Sequence, residues 1–321
     1  MKSWTIRFDN GRAVMERRES PAPSAAAGEL LVKVRASSLN RGELIAGLGL
    51  HGAAPDPKPA GGEASGTVEA VGAGVTGFAP GDRVMGRAKG AFADFAVMDA
   101  REAMQVPASL SFEAAAAVPL VFLVTYDMLV AQGALQKGEW LLVTGVSSGV
   151  GVACAQLGRL LGAKLIGTSG SAAKLAKLDL DLALETRKPD FAGRAIAATG
   201  GTGVDLAVNT VGGSLFPACL ASLAYRGRLA IVGYVDGRTT SEIDLDAVHA
   251  KRLKIFGVSN KMRTAPERAG MVQGFVRDVL PAFADGRIKP VIDRVFAMDE
   301  LPAAVAYMNS DAQLGKIVVT N

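Results

Sequence analysis

Apolar residues recur along this chain in two rhythms, and the change falls near Pro119. Before it, short segments such as Leu30-Leu31-Val32-Lys33-Val34-Arg35-Ala36 and Gly66-Thr67-Val68-Glu69-Ala70-Val71 predict strands. Turn residues crowd around them, at Gly72, Gly74, Gly77 and Pro80-Gly81-Asp82. Between Pro55 and Pro59 the prolines force an extended or turning backbone, so no regular helix crosses that segment. Beyond Pro119, apolar strands at Trp140–Thr144, Lys164–Thr168, Val204–Val208, Arg228–Val232 and Leu253–Gly257 alternate with helical stretches. That alternation predicts a parallel sheet with right-handed crossovers. A helix over Ala265–Leu280 and strands at Val291–Phe296 and Lys316–Val319 follow. One helix and two strands bury too little to stand alone, so this tail is expected to pack back on the first domain. The expectation is an α/β protein of two domains: a β-rich one built from 1–121 and 259–321, and a doubly wound parallel-sheet one over 122–258.

Composition narrows the class without changing that picture. The chain has 321 residues, 49% hydrophobic and 21% charged, enough for large cores and against disorder. Its net charge, 35 − 31 = +4, is spread thinly with no basic run. That speaks against a nucleic-acid partner and for mild attraction to anionic ligands. Cys154 and Cys219 form no disulfide or metal pattern, which suits a reducing cytoplasm. The N-terminus lacks the apolar core of a signal peptide. The longest apolar run, Ala114–Tyr126, is too short for a membrane span and contains Pro119. A cytoplasmic protein with no membrane partner is expected.

The chemistry starts at Leu142-Val143-Thr144-Gly145-Val146-Ser147-Ser148-Gly149-Val150-Gly151, a buried strand running into a glycine-rich turn. Apolar residues at 150, 153, 154, 157, 160 and 161 place one face of a helix directly after it. Backbone N–H groups at Ser147, Ser148, Gly149 and Val150, with the helix dipole behind them, would grip a pyrophosphate. The alternative is a structural strand–helix turn without a ligand. The end of the next strand, Thr168-Ser169-Gly170-Ser171 with Lys174 one turn on, discriminates between dinucleotides. An NAD site wants an acid there for the ribose hydroxyls, and no acid lies between Gly145 and Leu178. Ser169, Ser171 and Lys174 suit the extra phosphate of NADP instead, although Lys174 also reads as a solvated helix lysine. Arg187 is a second candidate for that phosphate.

Taken in order, several motifs give the chain a wider resemblance. They are Val34-Arg35-Ala36-Ser37-Ser38-Leu39-Asn40, Gly62-Glu63-Ala64-Ser65-Gly66-Thr67-Val68, Gly81-Asp82-Arg83-Val84, Gly90-Ala91-Phe92-Ala93-Asp94-Phe95, and Pro119-Leu120 with Thr125-Tyr126. The phosphate turn, Gly203-Val204-Asp205, Val211-Gly212-Gly213, Gly227-Arg228-Leu229 and Gly315-Lys316-Ile317-Val318-Val319 complete the series. The chain thus resembles, nearly end to end, the medium-chain dehydrogenase/reductase superfamily, in its zinc-free quinone oxidoreductase (zeta-crystallin-like) branch. The resemblance implies a GroES-like catalytic domain, a Rossmann domain that binds NADPH, and a cleft between them for nicotinamide and substrate. It implies that Asn40 and Thr125 face the nicotinamide and its ribose, and that Asn209, Gly233, Tyr234 and Phe256-Gly257-Val258 line the nicotinamide side. It sends Lys316 to the cofactor's phosphates. Packing within loops and strands is the alternative for each. A homodimer joined through the sheet edge at Leu253–Val258 is also implied.

Departures from the wider superfamily carry information too. Zinc-dependent relatives hold their metal with a cysteine near position 38 and a histidine at position 62, where this chain has Ser38 and Gly62. With two cysteines and two histidines in all, no zinc site of standard make-up can be assembled. Hydride delivery from a nicotinamide is the chemistry that remains. The acceptor expected is a small quinone or an enone or enal, with Asn40 among the donors to the enolate oxygen. An enoyl thioester is the alternative substrate, and an NADPH-binding protein with little catalysis the alternative class. The α-carbon proton is expected from bulk water, with His51 as the competing donor.

Overall fold

The computed structural model describes residues 1–45 and 57–321, which form two compact units: Met1–Leu123 with Asn260–Asn321, and Val124–Ser259. His51 lies outside the described residues, so its expected role stays open.

The second unit is built on one six-stranded sheet, with every pairing parallel. Its order in space is Leu182–Glu185, Lys164–Ser169, Trp140–Val143, Val204–Asn209, Leu223–Ile231, Lys254–Gly257. Numbered along the chain that is 3-2-1-4-5-6, the doubly wound order in which ligands lie beyond the carboxyl ends of strands 1 and 4. The central strands are mostly apolar because helices cover both faces. Leu141, Leu142, Leu206, Ala207 and Val208 are fully buried. The helix Gly149–Leu160 packs closely on this sheet because Gly158 has no side chain. A Cβ there would lie 2.8 Å from Leu141 Cδ2 and 2.9 Å from Leu165 Cδ2.

The first unit carries a seven-stranded sheet and a three-stranded one. In the larger, Glu29–Ser38 pairs antiparallel with Glu63–Val71, with Phe95–Asp99, and with Lys316–Thr320 from the far end of the chain. Those pairings bring residues 38, 63 and 316 to one place. Strand Lys2–Asp9 pairs with Arg12–Glu19 and with Lys58–Pro59. The apolar run Ala114–Tyr126 is divided between two helices, Phe112–Ala116 and Pro119–Tyr126, with Pro119 opening the second. At its first position a helix leaves the N–H unpaired, so proline costs nothing there. Phe122 and Phe283 meet edge-to-face with centroids 4.8 Å apart, fastening this helix to the C-terminal tail.

Candidate functional site

In the second unit the strand Trp140–Val143 ends in the turn Thr144–Ser148. Gly145 takes φ +59 and has Thr210 Oγ1 only 2.6 Å from where a Cβ would stand. Ser148 caps the helix, its Oγ accepting the Gly151 N–H at 3.1 Å. Around the turn, Val146 N donates to Thr168 O and Ser148 N to Gly145 O. The N–H groups of Ser147, Gly149 and Val150 have no acceptor among the described residues. Three free donors at the start of a twelve-residue helix, at the sheet's switch point, make an anion cradle.

The end of strand Lys164–Ser169 adjoins that turn. Ser169 and Ser147 hydroxyls are 3.0 Å apart, and Thr168 Oγ1 accepts the Gly145 N–H. Ser171 caps the short helix Ala172–Leu175 through the Lys174 N–H. Arg187 lies across Gly170, since a Cβ on Gly170 would sit 2.1 Å from Arg187 Nε. So Ser169, Ser171, Lys174 and Arg187 share one corner of this unit. Glu185 enters it as well, accepting the Ala172 N–H at 3.2 Å, an acid supplied by the third strand and not the second.

Other expected cofactor contacts are used differently. Asn209 is buried, and its Oδ1 accepts from Thr144 Oγ1, Val211 N and Gly212 N while its Nδ2 donates to Gly212 O. Its amide shapes the turn after strand 4. Thr125 is also buried, with Oγ1 3.6 Å from Cys154 Sγ. Burial pushes the Cys154 thiol up to about 12, so it stays protonated and unreactive. Gly233 presses on Thr210, whose carbonyl would be 2.5 Å from a Cβ there. Tyr234 is exposed, Phe256 half-buried and Val258 buried.

The first unit holds a polar cluster that sequence reasoning did not assemble. Glu63 is fully buried at the head of its strand. Its Oε1 accepts from Ser38 Oγ, from Asn40 Nδ2 at 2.8 Å and from Lys316 Nζ at 2.9 Å, and its Oε2 from Leu120 N at 2.7 Å. Lys316 is 5% exposed and completes its three bonds on Leu39 O and Asn40 Oδ1. All three ammonium hydrogens are therefore engaged inside this unit. That leaves no ammonium hydrogen over for the phosphates to which the resemblance sends Lys316. Asn40 is engaged as well, both of its amide hydrogens going to carboxylates, the second to Glu43 Oε1 at 3.0 Å. Gly62 leaves room for Glu43, whose Oε1 would be 3.0 Å from a Cβ there. The hints in sequence were two opposite charges, Glu63 and Lys316, each at the first position of a strand whose next residues are buried.

These donors do not fit a zinc ion. Where zinc-dependent relatives place a thiolate and an imidazole, this chain has a hydroxyl and a hydrogen atom, and the nearby carboxylate already holds an ammonium. Among the described residues no group of three or more His, Cys, Asp or Glu could hold a metal. Among them also, no helix is long and apolar enough to cross a membrane.

Comparison with known proteins gives two family matches, an alcohol dehydrogenase GroES-like domain over residues 26–108 and a zinc-binding dehydrogenase over residues 149–273. The chain is 33% identical over 325 residues to the spectinabilin polyketide synthase system protein NorB of Streptomyces orinoci. The match covers 99% of this chain but 14% of NorB, so the chain spans a small part of such relatives. Among solved structures it is similar to the mycobacterial protein Rv1454c complexed with NADPH, at 28% identity and TM-score 0.88 over the whole of both chains. A quinone oxidoreductase of Pseudomonas syringae pv. Tomato DC3000 matches at 26% identity and TM-score 0.87, covering 100% of this chain and 99% of that one. The CurK enoyl reductase matches at 26% identity and TM-score 0.86, covering 99% of each.

Proposed function

As this chain belongs to the medium-chain dehydrogenase/reductase superfamily, in its zinc-free quinone oxidoreductase-like branch, we propose that it is an NADPH-dependent reductase of quinones or α,β-unsaturated carbonyl compounds. The observation that carries this reading is the free-donor turn at Ser147–Val150, on the switch point of a 3-2-1-4-5-6 sheet. That turn holds the pyrophosphate, while Ser169, Ser171, Lys174 and Arg187 hold the 2′-phosphate. Bound NADPH supplies a hydride. The protein's part is to orient the acceptor and to stabilise the charge that develops on its oxygen. Hydride adds to the β-carbon of an enone and the double-bond electron pair moves to the carbonyl oxygen, where an Asn40 N–H is the protein's donor. Water then returns a proton to the α-carbon. No step needs a metal ion, in keeping with a donor set that does not fit one. The protein works in the cytoplasm.

The likeness to NorB and to CurK enoyl reductase favours a second reading, in which the conjugated carbonyl is an enoyl thioester. The chemistry is the same, and the acceptor separates the two. Steady-state kinetics with a quinone, an enone and an enoyl thioester, each with both dinucleotides, test the proposal. Absence of turnover with all three would leave a dinucleotide-binding protein.

NADPH is expected to be preferred over NADH. A charge-assisted contact to the 2′-phosphate contributes about 1.5–3 kcal/mol, or roughly ten- to a hundredfold in affinity. Lys174→Ala and Arg187→Ala should each lower kcat/KM with NADPH by that factor and leave NADH use unchanged. Equal use of both dinucleotides by the wild type would defeat the assignment.

A homodimer is also proposed. Strand Lys254–Gly257 is one of the two edges of the six-stranded sheet, and such an edge offers unpaired backbone groups to a second copy. Multi-angle light scattering should give twice the 33.1 kDa of one chain. A species of single-chain mass at micromolar concentration contradicts it.

A further inference from the structure

The cluster around Glu63 contains one acid that hydride transfer leaves unused. Glu43, in the short turn Arg41–Leu44, is 3% exposed. Two charged groups face it, Glu63 from strand Glu63–Val71 and Lys316 from strand Lys316–Thr320. On its own turn Arg41 points away, to Asp311 Oδ1 and Met308 O. Two buried carboxyls thus share one buried ammonium, and a single added proton makes the group neutral. Glu43 is where that proton goes. Burial and the neighbouring Glu63 charge push its carboxyl up to about 7, against the opposing pull of Asn40, Lys316 and the Gly61 N–H.

Asn40 links this acid to the reaction. Its two amide hydrogens are both held by carboxylate oxygens, Glu43 Oε1 at 3.0 Å and Glu63 Oε1 at 2.8 Å, and Lys316 fixes its Oδ1 at 2.7 Å. An amide has no third hydrogen to offer. We propose that Glu43 is a positioning residue that gates Asn40: ionised, it ties down one amide hydrogen, and neutral, it releases that hydrogen to the oxygen of the substrate. The inference rests on the proposed role of Asn40 as donor to that oxygen. A hydrogen bond to a carboxylate is about twice as strong as one to a neutral group, so neutralising Glu43 tips the competition toward the developing enolate. Glu43 neither gives nor takes a proton during the step. Glu63 keeps the other amide hydrogen and Lys316 keeps the carbonyl, so the side chain stays in register while one N–H is freed.

The wild-type kcat should fall about fivefold as pH rises through about 7, with NADPH affinity constant. In Glu43→Gln that step should vanish and the rate at high pH should stay near the low-pH plateau. Glu43→Asp should keep a step. A second readout needs neither cofactor nor turnover. The side-chain amide resonance of Asn40, identified by its loss in Asn40→Ser, should titrate with a midpoint near 7 in the wild type and be flat in Glu43→Gln. Folding stability provides a third. The folded carboxyl titrates near 7 and an ordinary one near 4.5, so the stabilisation is complete below pH 4.5 and is lost as pH rises to about 7. The urea midpoint should drop over that range in the wild type and not in Glu43→Gln. If no acceptor is reduced, the functional reading fails, and the Asn40 resonance alone decides whether the two side chains are coupled. Turnover with a kcat and a resonance both flat between about pH 5 and pH 9 overturns the gate and leaves that reading intact.

Discussion

Lys316→Met should cost the protein roughly 3–5 kcal/mol of stability, a large part of what a folded domain possesses. The side chain is about the same length and apolar, so the substitution leaves little cavity and mainly deletes the charge. Glu63 then remains fully buried with its Ser38, Asn40 and Leu120 hydrogen bonds but without a counter-ion. Removing one partner of a buried pair is far worse than removing both, because the lone charge keeps its desolvation penalty. The double variant Lys316→Met/Glu63→Gln should therefore be more stable than Lys316→Met alone. Urea unfolding at neutral pH, with the slope checked for constancy, measures both. A loss below about 1 kcal/mol for Lys316→Met would mean that water reaches the pair and that the cluster is not a buried hub.

How far this arrangement could be read from the chain differs between the units. The segment from Trp140 to Leu160 was legible because local rules agree there: an apolar strand, glycines at the turn, then a stripe at helical spacing. Five of the six parallel strands follow from the same alternation, with ends displaced by a few residues, and strand Leu223–Ile231 starts five residues before the segment expected from Arg228. The sixth, Leu182–Glu185, is a short edge strand with only Leu184 buried, and it carries no expected segment. The hairpin Lys2–Asp9 and Arg12–Glu19 was not identified, although Asn10-Gly11 with φ +48 and +78 is a strong two-residue turn signal. Its strands are half-exposed and carry charges on both faces, which hides the alternation. At the site, family resemblance named Asn40, Thr125, Asn209 and Lys316 without saying what their polar atoms bond. Lys316 and Glu63 are 253 positions apart, and only the pairing of strands Lys316–Thr320, Glu29–Ser38 and Glu63–Val71 joins them. Periodicity reports which face a residue occupies, not which distant charge meets it.

Gly151→Ala should lower NADPH affinity by a hundredfold or more, about 2.7 kcal/mol. The third residue of the helix Gly149–Leu160 packs against the turn that begins it. A Cβ on Gly151 would lie 2.5 Å from Gly145 O and 2.6 Å from both Val146 C and Val146 Cα. All three are backbone atoms, so no side-chain rotation relieves the clash and the turn itself must move away from the helix. The same turn aims the N–H groups of Ser147, Gly149 and Val150, and a displacement that spoils their convergence removes several anion contacts at once. Gly193→Ala provides the control within the same unit. It lies in the helix Ala192–Ala198 with nothing within 4 Å of its Cβ position, so alanine there should leave affinity unchanged and slightly raise stability. Isothermal titration with NADPH on both variants, alongside their urea midpoints, separates a lost binding site from a lost fold. Should Gly151→Ala bind within a fewfold of the wild type while remaining folded, the turn would be structural, and the pyrophosphate would have to be held elsewhere.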